Sequence, residues 1–421
     1  MNRLVFIGNG FDLAHGLSTS YKDFINWYWE QRVTGFIYEH SCVSKDILCT
    51  FESIDKERTH WHIHYLYDFK RYLQPLPGEE KATGKDIIDA IIEAKGVYKV
   101  TFSPLLERIY KNIETKGWVD IENDYYELLK EFALEEDSEE KTKELNAQLH
   151  FLQEKLVEYL NEINAQDVIM NPNIRRIIYT PFERKDISIE RQIALDEHID
   201  YSYELDDEDW EVRLGFYGMD GASHLSSIHA FKDDVEVGGK SKQFPDIYFL
   251  LPKQIMLLNF NYTNTAKAYL KDNSPFTINQ IHGRLDEPAS VIFGYGDEMD
   301  EKYKELLNKN DNECLTNIKS IKYLEADNYR KMLSFIEAEP FQVFIMGHSC
   351  GNSDRTLLNT LFEHPNCVSI KPYYYVKDDG SDTYLDIVQN ISRNFTDMKK
   401  MRDRVVNKIY CEPLPQNESE N

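Results

Sequence analysis

The sequence predicts an α/β chain: a mostly parallel sheet with helices on both faces, split by a large, mainly helical insertion. Three observations carry this. A short apolar run at residues 3–7 stops at Gly8. Apolar, β-prone runs return only in the last third, at 254–260, 277–281, 290–293, 342–346 and 368–376. Helix-like segments at 265–271, 302–307, 328–338 and 354–362 separate several of them. Strands alternating with helices imply parallel pairing, and the first run belongs to the same sheet. Residues 1–30 and 245–410 then form one core, 31–244 an insertion with an acidic loop, and 411–421 a tail.

Taken in order, the first strand ends in a glycine turn. Ser20 with Asp23 makes a variant capping box ahead of Phe24, Ile25, Trp27 and Tyr28, so a helix starts near Tyr21. The pattern stays mostly helical to about 165 and is irregular beyond. Leu145, Leu149, Leu152, Leu156, Leu160 and Ile163 recur at spacings of 3 and 4, one apolar stripe of a long helix. The stripe packs within the helical region or, alternatively, forms a subunit interface in a homo-oligomer. Residues 196–211 carry nine acids and no Lys or Arg, and read as a solvated loop.

The 421 residues include 48 basic and 73 acidic side chains, a net charge of −25. A phosphate backbone would be repelled over most of such a surface, so nucleic acid is not the main ligand. No run approaches a membrane span; the most apolar, 247–260, is broken by Pro252, Lys253 and Gln254. Arg3 followed by four apolar residues is too short for a signal peptide. Cys42, Cys49, Cys314, Cys350, Cys367 and Cys411 are scattered, without a CxxC pair. That pattern fits reduced thiols and a cytoplasmic setting, and no metal is expected.

The segment 8–17 reads Gly8-Asn9-Gly10-Phe11-Asp12-Leu13-Ala14-His15-Gly16-Leu17. A strand running into Gly-x-Gly lets backbone N–H groups approach a phosphate. The dehydrogenase fingerprint would need glycine where Leu13 stands, which disfavours hydride transfer. Three further motifs close later strands: Asn259-Phe260-Asn261-Tyr262-Thr263, Ile281-His282-Gly283, and Gly347-His348-Ser349, with Asp354 opening the next helix. Ligands of open α/β sheets bind beyond the carboxyl ends of the strands, so four polar motifs at such ends point to one Rossmann-like site.

The 8–17 segment, with Thr19-Ser20-Tyr21-Lys22-Asp23-Phe24 behind it, resembles the opening of AbiH-type bacteriophage abortive-infection proteins. Trp118-Val119-Asp120-Ile121-Glu122, Asn259–Tyr262 and Ile281–Gly283 resemble the same family. The order of motifs is also similar to the sirtuin-like NAD-binding superfamily. That resemblance implies NAD as substrate and cleavage of its nicotinamide–ribose bond, a reaction by which defence proteins deplete the cell's NAD. Asp12 and Thr263 stand where sirtuins have serine and aspartate, and the zinc-binding cysteines are missing, so deacylation is disfavoured.

Under this reading His282 is the base, since imidazole titrates near neutral pH. Asn261 positions water or the ribose, and Asp12 faces the cationic sugar. Gly8, Asn9, Gly10, Phe11 and Gly16 hold the pyrophosphate turn, and Tyr262, Gly347, His348, Ser349 and Asp354 complete the nucleotide pocket. Glu122 reads as a helix-surface acid, with a place in the pocket as the alternative. A phage-derived component is the expected trigger. Two rivals remain: a nucleotide-binding sensor without catalysis, and a serine hydrolase, because Gly347-His348-Ser349-Cys350-Gly351 matches the Gly-x-Ser-x-Gly elbow. The hydrolase lacks a suitable downstream histidine, only His364 following. His60, His62 and His64 alternate as metal ligands do, but Leu66 stands where that pattern needs aspartate.

Overall fold

The computed structural model describes residues 1–38, 43–55, 83–94, 96–116, 120–135, 138–165, 168–237, 245–270 and 274–417. The His60–His64 motif, Trp118, Val119 and Cys42 lie outside them. Asn2–Ile7 (β1) is buried at all six positions. Its alternate residues feed two cores. Leu4 and Phe6 face Met332, Phe335 and Ile336 of the helix Asn328–Ala338 and Leu357, Leu358 and Leu361 of the helix Arg355–Phe362. Val5 and Ile7 face Phe11 and Ala14, with Ile174, Ile177 and Ile178 of the helix Pro172–Ile178. A strand covered on both faces reads as one continuous apolar run, which is why it is visible in the sequence.

The other strands follow in chain order. Val43–Lys45 (β2), Cys49–Ser53 (β3) and Tyr98–Phe102 (β4) form an antiparallel sheet. Ile255–Asn259 (β5), Thr277–Gln280 (β6), Phe341–Met346 (β7) and Cys367–Tyr373 (β8) join β1 in a five-stranded sheet, order β6-β5-β1-β7-β8. Every pairing in it is parallel. Counted within this sheet alone, the order is 3-2-1-4-5, and it reverses between β1 and β7. Such a reversal opens a crevice at the carboxyl edge. The register brings the strand ends level: Ile7 lies opposite Asn259 and Met346, and Asn259 opposite Gln280.

Several expectations are corrected. The mainly helical middle contains the β2-β3-β4 sheet. Residues 290–293 form no strand: Pro288–Ser290 is a short 3-10 turn. Val291, Ile292 and Phe293 are apolar because they are buried, and Ile292 N donates to His282 O at 2.9 Å. The acidic stretch 196–211 is helical, within Gln192–Tyr203 and Asp207–Tyr217. Leu195, Ile199, Trp210 and Leu214 are buried there, so the acids occupy the solvent face. Asp206 caps the second helix, and Asp207, Glu208 and Asp209 fill its first turn, where the helix dipole favours negative charge. Within 411–417 the chain is tied back to the core, with Leu414 N donating to Tyr374 O and Asn417 N to Ala14 O, both at 2.8 Å.

The helix Tyr21–Tyr38 begins where its capping pair predicts, with Asp23 N donating to Ser20 Oγ at 3.1 Å. The leucine stripe lies on the helix Ser138–Asn164 and is buried against this helix and Ile121–Phe132, within the chain's own core. No described helix is long and apolar enough to cross a membrane.

Candidate functional site

The level strand ends wall one cleft of about 560 Å³, within the roughly 300–1,000 Å³ typical of small-molecule sites. Gly8, Asn9, Gly10 and Asp12 enter it after β1, and Asn261, Tyr262 and Thr263 after β5. His282 enters after β6, and Gly347, His348, Ser349 and Asp354 after β7. Tyr21, Lys22, Glu122, Leu156 and Leu160 complete it from the helical region. Two expected residues stand apart. Phe11 is buried on the other side of its helix, its ring 5.3 Å from that of Tyr269. Gly16 is exposed in the turn after the helix Asn9–Ala14, at φ +81°, a backbone conformation that favours glycine.

The glycine turn works differently from a phosphate cradle. Gly8 N donates to Met346 O at 3.1 Å and Gly10 N to Gly347 O at 2.8 Å. A Cβ on Gly8 would stand 2.4 Å from His348 Cα, and one on Gly347, at φ +73°, 2.0 Å from Phe11 N. Glycine is required because the turns after β1 and β7 touch. The two N–H groups are engaged by that contact and do not point at a ligand.

Asp12 is the unusual group on the cleft floor. It is 1% exposed. Its Oδ2 accepts from Thr263 Oγ1 at 2.6 Å, and its Oδ1 has no partner. Burial pushes its carboxyl up to about 6, with the Thr263 hydrogen bond opposing. Asn261 Nδ2 donates to Gly8 O at 3.0 Å, tying the turns after β5 and β1. Tyr262 OH donates to Ile292 O at 2.9 Å.

His282 is buried, with both ring nitrogens in contact. Nδ1 lies 3.2 Å from Phe260 O; Nε2 lies 3.2 Å from Tyr323 OH and 3.1 Å from Asp354 Oδ1. Burial and the nearby Lys319 ammonium pull the imidazole below its usual value, and Asp354 opposes them. Asp354 accepts from Lys319 Nζ at 2.9 Å. Although burial pushes this carboxyl up, Lys319 and His282 hold it well below the usual range. His348 Nδ1 accepts from Cys350 N at 3.0 Å, and its Nε2 stands 3.6 Å from Asp354 Oδ2.

Glu122 is not a surface acid. Asp120 caps the helix Ile121–Phe132, which turns Glu122 inward to accept from Lys319 Nζ at 3.0 Å and Gly294 N at 3.1 Å. Sequence reasoning missed Lys319 and Tyr323. Neither sits in a motif, and Lys319 is one of 48 basic residues.

The hydrolase elbow does not form a catalytic pair. Ser349 is exposed, and the non-glycine residue with positive φ in this segment is Cys350, at +55°. His364 lies at the opposite edge of the sheet, just before β8, with Nε2 3.3 Å from Glu337 and Nδ1 accepting from Asn366 N.

The family model described as bacteriophage abortive infection AbiH matches residues 4–375. The chain belongs to that family. No curated protein and no solved structure matches it.

Proposed function

We propose that this abortive-infection protein binds NAD in the cleft and hydrolyses its nicotinamide–ribose bond. One observation carries the reading: Asp12, Asn261 and His282, from the ends of three strands, line one cleft with the Gly347–Ser349 turn of a fourth. Nicotinamide leaves as a neutral ring from a cationic one, so no general acid is needed. The sugar passes through an oxocarbenium-like state. Ionised Asp12, with its free Oδ1, stabilises that charge. Asn261 orients the attacking water through its side-chain oxygen. His282 takes the water's proton, and Asp354 stabilises the imidazolium that results. The water oxygen bonds to the ribose carbon, completing ADP-ribose. Lys22, exposed at the rim, offers the pyrophosphate a cation, and Ser349 a hydroxyl for the adenosine ribose. A phage-derived trigger belongs to the proposal, because unrestrained NAD hydrolysis would harm the host.

A second reading is a nucleotide-binding sensor that does no chemistry. It is favoured by the contacts already made by both His282 nitrogens, which leave no nitrogen free for a substrate until one contact opens. Separating the products after incubation with NAD decides between them. The enzyme releases equal nicotinamide and ADP-ribose, and His282→Ala does not. Saturable NAD binding with intact NAD supports the sensor, and full turnover by His282→Ala removes His282 as the base.

A further inference from the structure

The cleft wall contains a cation that does not itself reach the cleft. Lys319 is 1% exposed, and Glu122 and Asp354, its two carboxylate partners, both line the cleft while it stands behind them. The three groups come from distant segments: the helix Ile121–Phe132, the helix Lys319–Lys322, and the turn after β7. The geometry is closed. Lys319 Nζ donates to Glu122 Oε2 and Asp354 Oδ1. Glu122 Oε1 is held by Gly294 N, and Asp354 Oδ1 is shared with His282 Nε2. An isolated ammonium here would be expelled or neutralised; two carboxylates keep it charged, well above the usual lysine value despite burial.

We propose that Lys319 is a positioning residue of the cleft, fixing the Asp354 carboxylate against His282 and tying it, through Glu122, to the helix Ile121–Phe132. The assignment rests on the reading of His282 as the base. The groups facing His282 are Asp354 and His348 from the turn after β7, Lys319 and Tyr323 from the segment 319–323, Tyr262 after β5, and Glu122 through Lys319. Asp354 alone would favour the imidazolium, which cannot take a proton. The Lys319 charge offsets Asp354, so the ring stays neutral and still aligned.

The test is the titration of His282 by NMR in the full chain carrying ¹³C-labelled histidine, with its signal assigned by loss in His282→Gln. Lys319→Met raises the His282 pKa by about 1 unit or more, the size expected of a charge at this range. Glu122→Gln, which leaves Lys319 less compensated, lowers it, and Asp354→Asn lowers it further. Lys319→Met exposes two buried carboxylates to each other and can unfold the chain. The double variant Lys319→Met with Glu122→Gln removes the ammonium together with the carboxyl that burial already pushes up to about 7, and still raises the pKa. Lys319→Arg restores the native value. A folded double variant in which His282 titrates as in the native chain overturns the proposal. The titration needs no turnover, so a chain that never cleaves NAD defeats the proposed function and leaves this inference to be judged by the NMR result.

Discussion

Among the described residues two lysines are buried, and their settings differ. Lys371 meets one acid, Asp186, at 2.8 Å, away from the cleft. Lys319 meets two acids, and one of them is shared with His282. The first arrangement is matched, one charge against one, and its role ends at holding β8 to the segment 184–186. The second carries one acid more than it has cations, at the wall of a cleft, in contact with an imidazole. Burial is similar in both; charge balance and access separate a structural pair from a site.

Substitutions in the two settings are expected to separate activity from stability. His282→Ala is expected to lower NAD cleavage by about 10²-fold or more, as loss of a general base does, measured as nicotinamide released per folded molecule. Lys371→Met should leave that rate unchanged. It should instead cost about 3–5 kcal/mol of stability, read from denaturant midpoints, because Asp186 is left buried without its cation.

Asp12→Asn tests the cleft floor. The native carboxyl is raised from 3.8 to about 6, so the folded state takes up its proton more readily than the unfolded state. The stability from this group is complete below about pH 4 and is lost as pH rises through 6. An asparagine never ionises. The variant should therefore be more stable than native at pH 8, by up to about 3 kcal/mol from the two-unit difference, and show no gain at pH 4. NAD cleavage should fall in the same protein. The smallest effect is expected at Gly16→Ala. Nothing lies within 4 Å of the added Cβ, so only the positive φ is penalised, about 1 kcal/mol, and NAD affinity should not change.

The parallel sheet was legible because β1, β5, β7 and β8 are buried at every position and read as largely apolar runs, each holding no more than two polar or charged residues. The β2-β3-β4 sheet was not, since β3 and β4 pair across about 45 residues of intervening chain and alternate buried with exposed positions. Residues 196–211 misled because acids on a solvent face hide the few buried positions beneath them. The strand-end motifs gathered where they did because level strands put their ends side by side. Their glycines were visible, but their reason was not: Gly8 and Gly347 answer to each other's turn across the sheet, a contact between residues over 300 apart. Lys319 left no trace, because a single lysine opening a one-turn helix becomes informative only when two distant carboxylates close on it.

The proposed function is protection against phage by destruction of NAD in this cleft. Cellular NAD followed through phage infection, in bacteria expressing the native chain or His282→Ala, tests it most directly. Protection with a collapse of NAD is expected in the native strain, and neither with His282→Ala. Protection that survives His282→Ala while NAD holds steady would contradict it.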